Sequence, residues 1–475
     1  MAEIIRRVVY WPQFKIPTQA LLAVLIAYVS LVPFYYFQVQ SLTLSLVFSL
    51  VKYAPFLLAC GVLALRAVAW SKGSRYMAST GVGRWMLLYL ALSLLSLWGA
   101  TYARVGLVKW IYYNATGPLL CWLVVQSCPR WEDVRRGILF LAFISGVVAV
   151  YIIFFALSGL EPFWETFQRA HNPYHTRQRA MGPFGSTVAT ATYAMLLLPA
   201  VMWVAVQAKH FLAKASWSLA CALLPLAVLL TQTRATQVCI LLYGLLLAPW
   251  LMKLRGTGRR PLYGLLAALV LAGVVLVQSA PGSDVSAEIR QRWSEILKPR
   301  VVTIRDGGKT YRYDSLIEYT ERFRIAQYYT VGNILSAHPL TGVGFGTFTR
   351  EFERFRYAEN YMIREFSEHT TENMYLMFLA EIGALGLLAR LALMVAIFVV
   401  VFGAWRRARP GSQRDLFWAY LASYIALAVH MLTWDIFNEP TLRMVYWLWT
   451  GLVLGAARLE RDSGMSVVEI ADDAV

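Results

Sequence analysis

The chain has 475 residues, of which 58% are hydrophobic and only 15% charged, with a mean hydropathy of +0.53. Soluble globular domains usually carry about 25% charged residues, so the composition excludes that class and points to a membrane protein. A net charge of +17 would suit a nucleic-acid binder, but the basic residues are scattered between apolar runs and form no stripe, so no nucleic-acid partner is expected.

Taken from the start, Arg6, Arg7 and Lys15 lead into an apolar run too long for a signal-peptide core and without a small-residue cleavage site, so no cleaved leader is expected. Crossing a hydrocarbon core of about 30 Å takes about 20 apolar residues. Such runs predict spans at 19–37, 42–66, 84–102, 106–126, 137–158, 187–208, 214–232, 235–252, 262–280, 384–405, 416–433 and 441–458. The expected fold is therefore an all-α, polytopic membrane protein of about twelve transmembrane helices. Lys72, Arg75 and Arg84, then Arg130, Arg135 and Arg136, then Lys209 and Lys214, Lys253 to Arg260, and Arg406 to Arg414 fall in alternate loops. The positive-inside rule then places both termini in the cytoplasm.

Two outer segments, about 159–186 and 281–383, are longer than connectors need to be, which favours function. The second holds helix-like stretches at Ser286–Leu297 and Ser315–Ala337, the latter stopped by His338-Pro339. The chain divides into spans one to nine (1–280), a periplasmic loop domain (281–383), spans ten to twelve (384–460) and a short acidic tail (461–475) expected to be disordered. The five cysteines (Cys60, Cys121, Cys128, Cys221, Cys239) form no CxxC pair and read as small apolar residues.

Arginine on the outer side runs against the charge rule and asks for a reason. Arg179 precedes the sixth span, Arg234 sits in the turn Thr231-Gln-Thr-Arg234, and Arg322 and Arg324 lie on the loop helix ahead of His338-Pro-Leu-Thr-Gly342-Val-Gly344-Phe-Gly346. A guanidinium binds phosphate oxygens bidentately, so arginines converging at the surface suit a lipid diphosphate; anchoring to lipid headgroups is the bland alternative. The stretch Glu368-His369-Thr-Thr-Glu372-Asn373-Met-Tyr375 gathers acid, imidazole and amide groups at the mouth of the tenth span, where a general base acting on a hydroxyl is useful. Glu372 also sits where a carboxylate caps a helix, and the loop glycines also read as turn residues. Within the apolar runs, Lys52, Lys109 and Arg390 are functional candidates by default, with Arg390 able to pair with Glu381. His171, His175, His210 and His430 lack metal-ligand spacing and no acidic DxD pair occurs, so neither metal nor cofactor is expected.

At these residues the chain resembles the O-antigen ligase and O-antigen polymerase superfamily. The family motif, His-(Asn/Ser/Gln), nine residues and Gly-x-x-Gly-Leu, reads here Glu372-Asn373, nine residues, then Gly383-Ala-Leu-Gly386-Leu387, with glutamate in place of histidine. Arg179-x-x-Gly182, Thr231-Gln-Thr-Arg234, and Arg324 standing fourteen residues before His338-Pro339 extend the match. The resemblance implies a GT-C-like fold of about twelve helices with a large periplasmic loop before the tenth, in the bacterial inner membrane. It further implies metal-independent, inverting transfer of a glycan from undecaprenyl diphosphate. Arg234 and Arg324 would hold the diphosphate with Arg179 in support, and Glu372, or His369 one turn earlier, would be the base. Arg322, Asn373, Tyr375, Lys52 and Lys109 are additional candidates. Glutamate at the motif's first position resembles exopolysaccharide and O-antigen polymerases, so polymerisation of repeat units is expected. Transfer to lipid A-core by a ligase is the alternative, and a chain-length regulator is a further candidate partner. A flippase for the same lipid-linked glycan is the reading from another class; it predicts inverted repeats, and none is visible.

Overall fold

The computed structural model describes residues 72–158, 182–184, 186–231, 233–253, 300–306, 309–315, 319–355 and 371–472. The expected spans at 19–37, 42–66 and 262–280 and the stretch Ser286–Leu297 lie outside these residues. What is described is overwhelmingly helical: α1 (Lys72–Ser79), α2 (Val82–Leu95), α3 (Ala103–Lys109), a π-helical segment (Trp110–Ala115), α4 (Thr116–Ser127), α5 (Trp131–Ser158), α6 (Thr187–Gln207), α7 (Phe211–Leu230) and α8 (Arg234–Lys253). Further along the chain come α9 (Tyr319–Ala337), α10 (Phe348–Phe355), α11 (Met374–Arg407), α12 (Ser412–His430) and α13 (Pro440–Asp472). Four helices, Trp131–Phe154 of α5, α6, α7 and α11, are long and apolar enough to cross a membrane. The count of twelve rests on the sequence.

Two local departures from the sequence reading stand out. An antiparallel hairpin, β1 (Arg300–Asp306) and β2 (Lys309–Ser315), interrupts the helical pattern, its register pairing Asp306 with Lys309. Only Gly307 and Gly308 separate the strands, the residue type that two-residue hairpin loops prefer. The last helix runs on to Asp472, so the acidic tail through that residue is helical instead of disordered. No proline follows Pro440 to stop it.

The bundle is organised around α6, which packs against α5, α7, α8 and α12. Its first turns, Thr187-Val-Ala-Thr-Ala-Thr192, are mostly small side chains that let neighbouring backbones approach. Ser186 caps its start by accepting from the Ala189 amide. Hydroxyl groups then tie the helices together: Ser423 donates to the Leu196 carbonyl at 2.7 Å and Tyr243 to the Met195 carbonyl at 2.9 Å. The opposite pattern appears on the periphery. Phe143, Val147, Val150 and Phe154 of α5, and Leu388, Val395 and Val399 of α11, are exposed at helical spacing, as a lipid-facing stripe requires.

Helix α11 begins at Met374, ten residues ahead of the predicted span, and is broken once, at Gly383 (φ 66°, ψ −172°). That conformation is open essentially to glycine alone. The break frees backbone groups, and the loop after α9 takes them up. Val343 and Gly344 donate to the carbonyls of Ala380 (3.0 Å) and Glu381 (2.8 Å), while the amides of Ala384 and Leu385 donate to the carbonyls of Pro339 (3.0 Å) and Leu340 (3.4 Å). A side chain at Gly383 would run into the Leu340 carbonyl, and one at Gly342 into the carbonyls of Ala380 and Glu381. The motifs His338-to-Gly344 and Gly383-to-Leu387 are thus two halves of one backbone joint.

Candidate active site

Helix α9 and the start of α11 meet through Arg324, whose Nε lies 2.7 Å from Oε2 of Glu372. The side chains are 27% and 32% exposed, so the pair is open to a ligand on one side. Glu372 is the single described non-glycine residue with positive φ, at 48°. A left-handed glutamate is uncommon and stores strain, which recurs at functional positions. Its neighbours hold it there. The Thr371 hydroxyl donates to the Asn373 carbonyl at 2.6 Å, and Asn373 Oδ1 accepts from the amides of Tyr375 and Leu376. Asn373, not Glu372, therefore caps α11, which leaves the glutamate carboxylate to face Arg324. Tyr375 donates its hydroxyl to the Ala428 carbonyl at 2.8 Å, a tie between α11 and α12.

Arg234 is the first residue of α8 and is half-buried. Its end of the helix lies at the end of the bundle where α12 finishes, because Cys239 Sγ reaches the Ala426 carbonyl at 3.6 Å. The same end of α12 meets α11, where the Met374 amide donates to the Met431 carbonyl at 2.8 Å. Arg234, Glu372 and Arg324 consequently share one end of the molecule. Arg179, His369 and Lys52 lie outside the described residues, as does the side chain of Arg322.

Below this mouth is a cavity of about 480 Å³, walled on one side by Met374, Met377, Phe378 and Glu381, successive turns of α11. Lys109 lines it too, its stem crossed by the backbone of Gly346, where an added Cβ would come within 2.8 Å of the lysine. A glycine is needed there for the loop to close over the side chain. The π-helical turn places Asn114 in the wall, with its Oδ1 accepting from the Tyr89 hydroxyl at 2.6 Å and its Nδ2 donating to Ser93 at 2.7 Å. Arg390 forms part of the same wall, 2% exposed. It does not pair with Glu381, the expectation from sequence. Its guanidinium carbon lies 4.5 Å from the centre of the Phe437 ring and 5.2 to 5.5 Å from those of Tyr89, Trp447 and Phe378. Glu381 instead accepts from the Phe348 amide at 3.4 Å.

Sequence reasoning passed over Asp435 and Arg443, both buried and both lining this cavity. Arg443 donates to the Phe437 carbonyl at 2.6 Å and stands 4.6 Å from the Tyr113 ring. The available signal was an arginine three residues inside an apolar helix, the kind of charge that membrane spans rarely tolerate.

The arginine and glutamate just joined belong to one continuous stretch that has relatives. Residues 219–391 match the family described as O-antigen ligase. The match starts within α7 and ends within α11, so the matched segment holds Arg234, Arg324, Glu372 and Arg390 together with both halves of the backbone joint. The match covers 173 of the 475 residues and supports the resemblance to the O-antigen ligase and polymerase superfamily. No curated protein matches the chain.

Proposed function

We propose that the protein is a polysaccharide polymerase that joins glycan repeat units carried on undecaprenyl diphosphate at the periplasmic face of the inner membrane. The observation that carries the reading is the 2.7 Å contact between Arg324 and Glu372, a phosphate-binding side chain beside a carboxylate at the mouth of α11 inside the O-antigen ligase segment. In the proposed reaction an acceptor sugar hydroxyl loses its proton to Glu372, or to His369, as its oxygen attacks the anomeric carbon of the donor. The bond from that carbon to the diphosphate oxygen breaks with inversion, and the lipid diphosphate leaves. Arg324 and Arg234, with Arg179, neutralise the charge that develops on the leaving group, without requiring a metal. The strained backbone of Glu372 fits a group held in place for chemistry.

Glutamate at the motif position where ligases carry histidine favours polymerisation over transfer to lipid A-core. The test is to incubate purified protein with a lipid-linked oligosaccharide, alone and with lipid A-core. A ladder of products on the carrier lipid is expected. Sugar on lipid A-core would make the enzyme a ligase, and no covalent product in either arm would overturn the enzymatic reading in favour of a flippase.

A further inference from the structure

The cavity beneath the active-site mouth contains a charge that the proposed transfer does not use. Arg390 is 2% exposed, and neither its Nε nor its Nη2 has a hydrogen-bond partner among the described residues. Four aromatic rings surround the guanidinium and offset part of its desolvation, but ring faces do not satisfy N–H donors directed elsewhere. A buried guanidinium left in this state on a cavity wall is built for an acceptor that arrives from outside. The surrounding chemistry specifies which kind. Lys109, Arg350, Arg390 and Arg443 outnumber Glu381 and Asp435 in the lining, so the cavity favours an anion. Its remaining wall combines aromatic rings (Tyr89, Tyr113, Trp447) with amides (Asn114, Asn438), which pack on the C–H faces of a sugar and hydrogen-bond its hydroxyls.

We infer that this cavity binds an acidic sugar unit of the glycan, with the acid group received by the guanidinium of Arg390. Only the sugar part of this assignment rests on the glycan-transfer reading above. The anion part rests on the cavity alone. Met374 and Met377 belong both to the cavity wall and to the first turns of the helix that follows Glu372, so the wall that would hold the sugar begins two residues after the proposed base.

Binding is measured without turnover on the full-length protein in lipid nanodiscs, by thermophoresis, with a glucuronate-containing tetrasaccharide, its glucose-containing counterpart and inorganic pyrophosphate. The acidic tetrasaccharide is expected to bind at least about tenfold more tightly than the neutral one, as one charge-assisted contact of about 1.5 kcal/mol implies. Arg390→Gln is expected to erase that difference, and Lys109→Gln, on the half-exposed wall, to reduce it. Arg390→Lys keeps the test open if Arg390→Gln fails to fold, since it retains a cation and should keep part of the difference; equal binding of acidic and neutral sugars by the wild type, or full discrimination in a folded Arg390→Gln, would overturn the assignment. A purely structural arginine predicts no discrimination in the wild type at all. Pyrophosphate displacing the acidic tetrasaccharide at equal concentration would make the cavity a diphosphate site and overturn the sugar assignment. A wild type that transfers glycan but does not discriminate would refute the cavity and leave the enzyme reading standing; a wild type that discriminates without transfer would do the reverse.

Discussion

Arg324 Nε and Glu372 Oε2 stand 2.7 Å apart although they lie 48 positions apart in the chain, and this contact joins helix α9 to the mouth of α11. Exposed ion pairs contribute only about 0–1 kcal/mol to stability, so a partnership this open is better explained by what it presents than by what it holds together. Arg324→Ala is therefore expected to leave the amount of folded protein unchanged while slowing glycan transfer about ten- to a hundredfold. Arg324→Lys should rescue poorly, because an ammonium lacks the planar fork. Full transfer in Arg324→Ala would remove this residue from the site.

Glu372→Gln preserves shape and hydrogen bonding but removes basicity. A loss of about 10²–10⁴-fold in transfer rate is expected if the carboxylate is the general base, with His369→Ala mild. The reverse pattern would make His369 the base. Glu372→Gly separates chemistry from strain: it relieves the left-handed backbone, so its thermal midpoint should be no lower than wild type while transfer is lost.

The joint between the loop and α11 predicts a different kind of failure. Gly383→Ala forces a Cβ into the Leu340 carbonyl at a backbone conformation closed to alanine, and is expected to cost about 3 kcal/mol or more. Fluorescence-detected size exclusion in detergent should show loss of the monodisperse peak. Gly386→Ala, at a helical position, meets the side chain of Ile382 first, which must shift, and should be milder than a clash with backbone at a left-handed residue.

Asn373 separates a cap from a catalyst. Asn373→Ala removes the acceptor for two amides and should cost about 1 kcal/mol, seen as a lowered thermal midpoint; Asn373→Asp keeps the acceptor and should restore it. Transfer by the folded fraction should survive both.

The sidedness of the molecule is open to a direct check. Reporter fusions at Gly308 and after Val475 should report periplasm and cytoplasm, respectively. A cytoplasmic signal from Gly308 would place Arg324 and Glu372 on the wrong face for a lipid-linked donor.

Much of the helical layout was legible in the sequence because apolar runs such as 187–208 have one cheap solution in a membrane. The end of α9 was legible from His338-Pro339, and Arg324 and Glu372 stood out singly in the sequence, though their contact did not. The break at Gly383 was not, since glycine within an apolar run reads as a tolerated helix residue. Its compensating partners lie some forty residues upstream, where no local pattern reaches. The setting of Arg390 was hidden for the same reason: its rings come from α2, α11, the turn before α13 and α13 itself. The hairpin at 300–315 was missed because its strands carry too many charges for the alternation to register as apolar against polar.

The joint at Gly383 also sets how this protein can be recombined with its relatives. Because the amides and carbonyls of 339–344 and 380–385 complete one another, neither stretch is a self-sufficient cassette. A chimera that imports a foreign loop up to residue 346 should also import the matching 377–387 segment, the two being moved together.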